Sequence, residues 1–122
     1  MLNRTKSENP AIAANVNLIG GGTQINGDVV AHGDIRVDGV LNGNLTGATR
    51  VVVGPEGRVN GNIHCTFAEI IGQVKGDVVL NETLTLRANA RIDGNITIGR
   101  LIVESGAVFT GNCTMQNPPQ GS

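Results

Sequence analysis

The sequence has almost no aromatic side chains: its 122 residues include two Phe, no Trp and no Tyr. Proteins that read single-stranded nucleic acid stack the bases on aromatic rings, which are nearly missing here. Charge is also scarce, since charged residues make up 16% of the chain and nine Lys and Arg offset ten Asp and Glu. No basic run is available to neutralise phosphates, so the composition predicts that the protein does not bind nucleic acid.

Cysteine and long apolar runs are sparse as well. The two cysteines, Cys65 and Cys113, are too few for a disulfide framework, and their spacing matches no zinc motif. The apolar runs, such as residues 51–53, are far too short to span a membrane, and the first ten residues do not resemble a signal peptide. We therefore expect a reduced, cytoplasmic protein.

Glycine, by contrast, is abundant, with 18 residues. A Gly-Asp or Gly-Asn pair recurs with spacings of 16, 18, 15, 18 and 17 residues, which is the signature of a repeat array. The paired glycines are Gly27, Gly43, Gly61, Gly76, Gly94 and Gly111. The positions two before and two after each glycine are apolar, whereas the positions directly beside it are polar. This alternation is typical of a β-strand with one buried face.

A second alternating apolar pair follows the glycine in each full repeat. These pairs are Ile35 and Val37, Val51 and Val53, Ala68 and Ile70, Leu84 and Leu86, and Leu101 and Val103. Upstream, we expect Val16 and Leu18 to start the same column. A unit of about 17 residues cannot bury its apolar side alone, so successive units must stack with their strands in parallel.

The sequence therefore predicts an all-β fold, a single parallel β-helix of about six rungs. Left-handed β-helices need an apolar residue at every sixth position, and that spacing fails at Gly57 and Glu69. We therefore predict a right-handed helix. The repeats end before both termini, so we expect a β-helix domain at residues 15–116 between flexible tails at residues 1–14 and 117–122.

Several motifs within the repeats point to a known family. They are Ile-Asn-Gly-Asp-Val at residues 25–29, Val-Asn-Gly-Asn-Ile at 59–63, Ile-Asp-Gly-Asn-Ile at 92–96, Gly-Pro-Glu-Gly at 54–57 and Val-Asp-Gly-Val-Leu-Asn-Gly-Asn at 37–44. Because these motifs occur at matching positions of successive repeats, they resemble those of the bactofilins, bacterial cytoskeletal proteins built on a small right-handed β-helix. The resemblance implies a homopolymer that forms filaments end to end without nucleotide or another cofactor. It also implies a place at the inner face of the cytoplasmic membrane and a role in cell shape, often beside cell-wall-modifying enzymes.

The two open ends of such a helix are the first candidate site. Each end presents unpaired strand N–H and C=O groups, and neither carries a helical capping sequence. We predict that like ends meet and that such contacts alternate along a filament. Phe109 with Cys113 and Met115 would form the C-terminal contact, and Val16 with Leu18 the other.

The N-terminal segment is the second candidate site. Met1 and Leu2 precede Arg4 and Lys6, and such a segment could contact an anionic leaflet at about 1 kcal/mol per basic residue. That is negligible for a monomer, but a filament presenting many tails binds by multivalency. An inert tail is the alternative.

No catalytic, cofactor or metal site is predicted. His64 lies between inward Ile63 and Cys65 and should point to solvent, and the Asp and Asn column after the glycines is expected to be structural. Two other functions stay open. One is a left-handed β-helix enzyme of the acyltransferase or carbonic-anhydrase type, and the other is a β-helical scaffold that binds a protein partner without polymerising.

Overall fold

The computed structural model describes residues 16–115, and the regular structure of this range consists of eighteen short β-strands. The first sheet contains β1 (Val16–Ile19), β4 (Asp34–Val37), β7 (Arg50–Val53), β10 (Phe67–Ile70), β13 (Thr83–Leu86) and β16 (Arg100–Val103). The second sheet contains β2 (Gln24–Asn26), β5 (Val40–Asn42), β8 (Arg58–Asn60), β11 (Gln73–Lys75), β14 (Arg91–Asp93) and β17 (Val108–Thr110). The third sheet contains β3 (Val29–Val30), β6 (Leu45–Thr46), β9 (Ile63–Cys65), β12 (Val78–Leu80), β15 (Ile96–Ile98) and β18 (Cys113–Met115).

Each strand pairs in parallel with the strand three places further along the chain, so each sheet has six strands in simple order. The chain thus makes six circuits, which we call rungs 1 to 6, and each circuit contributes one strand to each sheet. The rungs span residues 16–30, 34–46, 50–65, 67–80, 83–98 and 100–115. The predicted all-β parallel solenoid of about six rungs is confirmed, and its right-handed sense stays a prediction.

The core is a stack of aliphatic columns inside the solenoid. The register places Val51 over Ile35 and under Ala68, and the burial of successive residues alternates as predicted. Leu45 and Ile63 are fully buried in the third sheet, in the column that follows the glycines. The buried side chains are aliphatic apart from Cys65.

A glycine corner joins the second sheet to the third in every rung. Its six glycines have φ between 137° and 155°. In rungs 1 to 4 the Asp or Asn that follows the glycine binds the next rung: Asp28 Oδ1 accepts the N–H of Asn44 at 3.0 Å, and Asn44 Oδ1 accepts that of Asn62 at 3.0 Å. The same bond recurs at Asp77 and Asn95. The column is structural, as expected.

The start of the first sheet differs from the prediction by one residue. The register pairs Asn17 with Ile35, whereas Leu18 pairs with outward-facing Arg36 and is 64% exposed. The inward column therefore begins at Asn17, and the prediction that Val16 and Leu18 start it is wrong.

Asn17 can occupy an inward position because no described residue stacks beneath the first rung. Its Nδ2 donates hydrogen bonds to the carbonyl oxygens of His32 at 3.1 Å and Asp34 at 3.2 Å. The next inward residue, Ile19, is 6% exposed. A polar residue thus stands at the start of the inward column, where its side chain can satisfy backbone groups.

The predicted tails at residues 1–14 and 117–122 lie outside the described residues, as do the proposed membrane-contact residues Met1, Leu2, Arg4 and Lys6. Between residues 16 and 115 there is no helix of the length and apolar character that crossing a membrane requires.

Candidate assembly surfaces at the two open ends

The exposed large hydrophobic side chains are confined to the first and last rungs. Those of the described chain are Leu18, Val30, Ile102, Val103, Val108 and Met115. Rungs 2 to 5 contribute none to this set, although they supply most of the buried core. Apolar surface is therefore concentrated at the two ends of the solenoid.

At the C-terminal end, the inward columns continue into a rung on which no described residue stacks. Val103 is in register with fully buried Leu86, yet it is 53% exposed. Phe109 is in register with Ile92 and packs against the core, and it remains half-buried. The strands of rung 6 pair with rung 5 and leave their other edge open, so polar backbone groups surround these apolar side chains.

At this end, the third sheet contributes two sulfur-containing side chains, Cys113 and Met115. Cys113 and Met115 are in register with inward Ile96 and Ile98, and both are exposed. Cys113 Sγ lies 3.7 Å from Met115 Sδ. Rung 6 therefore holds all three residues predicted for the C-terminal contact, and each occupies an inward column.

The N-terminal end is a hollow of about 430 Å³. Leu18, Ile19, Ile25, Val29 and Ile35 contribute to its lining. Ile25 and Val29 pack against the core and are half-buried, because no described residue stacks beneath them. Of the two residues predicted for this end, Leu18 lines the hollow, and the backbone of Val16 pairs with Asp34 in the first sheet.

Four of the exposed apolar residues were missed by the sequence interpretation: Val30, Ile102, Val103 and Val108. Ile102 and Val108 occupy outward positions whose neighbours in rung 5 are Thr85 and Arg91. The signal was present in the sequence as a change from polar to apolar at outward positions of the last repeat.

An ion-pair network ties the last rung to the two before it. Arg87 Nε lies 2.7 Å from Glu69 Oε2 in rung 4, and Arg87 Nη1 lies 2.7 Å from Glu104 Oε2 beyond β16. Glu104 Oε1 also accepts the backbone N–H of Ala88 at 3.1 Å. The hydrogen bond to Glu69 and then that to Glu104 raise the pKa of the Arg87 guanidinium. The network thus joins side chains of three successive rungs beside the C-terminal end.

The two cysteines have opposite environments. Cys65 is 7% exposed in the inward column of the third sheet, and burial raises the pKa of its thiol to about 12. Cys113 is exposed at the open end. The prediction that both occupy inward columns is confirmed, and the buried thiol of Cys65 does not suit a nucleophile.

The described residues contain no group of three or more His, Cys, Asp or Glu placed to hold a metal ion. His64 is exposed, as predicted, and His32 is exposed at the corner after β3.

Three comparisons relate the chain to known proteins. A family model for bactofilin, described as polymer-forming cytoskeletal, matches residues 17–114. The chain is 29% identical to bactofilin BacO of Myxococcus xanthus (strain DK1622) over 98 residues, which are 80% of this chain and 78% of that protein. It is 30% identical to bactofilin BacP of the same organism over 104 residues, 85% of this chain and 43% of that protein. The cytoskeletal bactofilin BacA, solved by solid-state NMR, matches with a TM-score of 0.76 and 29% identity, covering 84% of this chain and 97% of that chain.

Proposed function

Because the chain belongs to the bactofilin family of polymer-forming cytoskeletal proteins, we propose that its subunits join end to end through rungs 1 and 6 into filaments. The observation that carries this proposal is that the exposed large hydrophobic side chains of the described chain all lie in those two rungs. A further rung stacked on either end would cover the inward members of this set, Val103 and Met115, would partly shield the outward members, and would pair the open strand edges.

Assembly through these contacts would need no nucleotide. Where two like ends meet, their open strand edges can pair with each other, with neighbouring strands about 4.8 Å apart. Contacts between like ends, alternating along the polymer, give an open filament. The driving force is then burial of apolar surface together with backbone hydrogen bonds, so hydrolysis of a ligand has no part in assembly.

Negative-stain electron microscopy of the purified protein tests this proposal. At physiological salt, without nucleotide or metal, we expect thin filaments, and addition of ATP, GTP or a chelator should leave their number and length unchanged. Small uniform particles at high protein concentration would contradict end-to-end assembly and would favour the non-polymerising scaffold.

We also propose that the filaments lie at the inner face of the cytoplasmic membrane and are attached through Met1, Leu2, Arg4 and Lys6. One tail carries two basic residues, and many tails along a filament supply the avidity that a single one lacks. Sedimentation with vesicles checks this: the full-length protein should pellet with anionic vesicles, and the double variant Arg4→Glu, Lys6→Glu should not. Equal binding of both proteins would contradict a role for the tail.

The role that follows is structural rather than enzymatic, in line with a structural cytoskeletal family. A filament fixed to the membrane is a scaffold on which cell-wall-modifying enzymes can be placed and cell shape maintained. Deletion of the gene should alter cell shape, and a variant that folds but does not polymerise should fail to restore it.

A further inference from the structure

A shallow groove follows the solenoid axis on the outer surface of the second sheet, between two columns of outward side chains. In rungs 4 to 6 it is a hollow of about 190 Å³, and rung 3 continues both columns. The first wall consists of Arg58, Gln73, Arg91 and Val108. The second wall consists of Asn60, Lys75, Asp93 and Thr110. We call this feature the basic groove.

Positive charge is concentrated on the walls of the basic groove. Arg58, Lys75 and Arg91 are exposed, and none of them forms an ion pair with another residue between 16 and 115. On the first sheet, by contrast, the guanidinium of Arg36 lies 2.9 Å from a carboxylate. The walls hold three cations and one carboxylate, that of Asp93, so their net charge is positive although that of the whole chain is −1. Charge complementarity therefore calls for an anionic occupant.

The shape of the groove favours a polypeptide over a lipid surface. Val74 and Ile92 lie at its floor, below both walls, and strands of three residues make this side of the solenoid about 10 Å wide. Glu56 and Asp77 are exposed at the corners that border the sheet. A flat anionic bilayer would meet these carboxylates as well as the cations, whereas a single extended chain between the walls meets the cations without them.

The spacing of the two arginines indicates how the carboxylates of such a chain are placed. Arg58 and Arg91 belong to one column and are two rungs apart, a separation of about 9.6 Å between their strands. In a polyproline II chain every third side chain points to the same side, and these side chains are about 9.3 Å apart. A segment in this conformation with Glu or Asp at positions i and i+3 therefore presents one carboxylate to each arginine.

We propose that the basic groove binds an extended acidic segment of a partner protein that carries a carboxylate at every third residue. Arg58 and Arg91 pair with successive carboxylates through the two-pronged hydrogen bonds that guanidinium groups form, which fixes the position of the segment along the groove. Lys75 adds a third positive charge from the opposite wall. The groove lies within one subunit, so binding does not require end-to-end assembly. In a filament the groove repeats in every subunit, and a partner with several such segments gains avidity.

Binding of labelled synthetic peptides to the full-length protein tests this proposal. The probe contains three repeats of Glu-Pro-Pro, and its uncharged counterpart contains three repeats of Gln-Pro-Pro. The double variant Arg58→Glu, Arg91→Glu reverses the charge of one wall. The double variant Arg50→Glu, Arg100→Glu makes the same change on the outer surface of the first sheet, where both arginines are exposed. Fluorescence anisotropy at low salt measures the affinity of each protein for each peptide.

We expect the acidic peptide to bind wild type and the first-sheet variant with similar affinity, and the uncharged peptide to bind neither. Reversal of Arg58 and Arg91 should weaken binding at least about tenfold, because two exposed charge pairs turn from attractive to repulsive. Added salt should weaken binding to wild type, since it screens these pairs. If circular dichroism shows that the reversed variant does not fold, Arg58→Gln, Arg91→Gln takes its place and should weaken binding about fivefold.

Equal weakening by the two reversed variants would show that binding follows net charge alone and would overturn the proposal. Failure of the acidic peptide to bind wild type would overturn it as well. Anionic vesicles distinguish the other occupant: in the Arg4→Glu, Lys6→Glu background, vesicle binding that depends on Arg58 and Arg91, without peptide binding, would assign the groove to a lipid surface and contradict a peptide site. Absence of filaments would contradict only end-to-end assembly, so the two failures are distinguishable.

Discussion

Gly61 lies directly over the carbonyl group of Gly43, so closely that a Cβ on Gly61 would overlap the oxygen of that carbonyl. Gly61 also has a φ of 152°, a conformation that other residues rarely adopt. The same approach recurs up the glycine corner, where Gly76 would meet the carbonyl of Gly61. Close stacking at this corner requires glycine for two separate reasons, backbone conformation and space.

Replacing glycines in different settings separates the two reasons. Gly61→Ala violates both requirements, the backbone conformation and the space. We therefore expect a loss of more than about 3 kcal/mol of unfolding free energy or failure to fold. Gly27→Ala has the unusual backbone (φ 138°) but no neighbouring atom within 4 Å, so it should cost about 1–2 kcal/mol. Thermal unfolding followed by circular dichroism measures the difference.

Gly20→Ala is the control, because nothing lies within 4 Å of its Cβ position and its φ is not positive. It should change stability by less than about 0.5 kcal/mol. A Gly61→Ala protein as stable as the Gly27→Ala protein would show that stacking at this corner is looser than the structure indicates.

The glycine corner was predictable from sequence because its cause is local and repeats in every rung. A fixed φ and a close backbone approach select glycine, and the strand alternation around it selects apolar residues. The first rung was harder to predict. Asn17 breaks the apolar pattern because its amide satisfies carbonyl groups at an open end, so the apolar residues on either side of it mimic the inward column.

The surfaces at the ends could be predicted in part. Phe109, Cys113 and Met115 follow from the inward columns, since no described residue stacks on the last copy of the repeat. The outward residues Ile102 and Val108 gave a weaker signal, because Val40 and Val52 are also apolar at outward positions in middle rungs. Only their combined exposure in one terminal rung separates them from ordinary surface residues.

Phe109→Arg should abolish filaments while keeping the fold. Phe109 is half-buried at the open end, and a second subunit stacked there would bury the introduced charge without a partner, a loss of several kcal/mol. Electron microscopy should show no filaments, and circular dichroism should show the β signal of wild type. Loss of that signal would mean that Phe109 serves the core of the subunit.

The other phenylalanine supplies the matched control. Phe67 is half-buried on the outer side of the first sheet in rung 4, with the guanidinium of Arg50 5.4 Å from its ring centroid. Phe67→Arg makes the same chemical change away from both ends, so filaments should persist. If both variants lose filaments, the defect is general and is not specific to the C-terminal end.

The two thiols should react at very different rates. Cys113 is exposed, whereas burial raises the pKa of Cys65 to about 12, so at pH 8 Cys65 stays a protonated, shielded thiol. A maleimide should label one site per folded monomer, and a bulky label on Cys113 should block assembly by keeping rung 6 from stacking. Mass spectrometry identifies the labelled cysteine, and electron microscopy shows whether filaments form. Labelled protein that still forms filaments of normal length would contradict a contact at rung 6.

Arg87→Met should loosen rung 6 more than it destabilises the whole protein. The ion pairs of Arg87 with Glu69 and Glu104 are partly exposed, so each contributes little to the stability of the whole protein. We expect a small drop in melting temperature, together with clearly faster amide hydrogen exchange in strand Arg100–Val103. Salt at 1 M should speed exchange in wild type and change it little in the variant, because it screens pairs that the variant lacks.

Arg91→Met is the control for this experiment, since Arg91 makes no ion pair within residues 16–115 and lies in the same rung on the outer side of the second sheet. It removes the same charge and should leave exchange in Arg100–Val103 unchanged. If rung 6 frays before assembly, ordering it when the next subunit stacks costs conformational entropy. Arg87→Met should therefore also raise the protein concentration at which filaments appear. If the two arginine variants exchange and assemble alike, the network does not stabilise the open end.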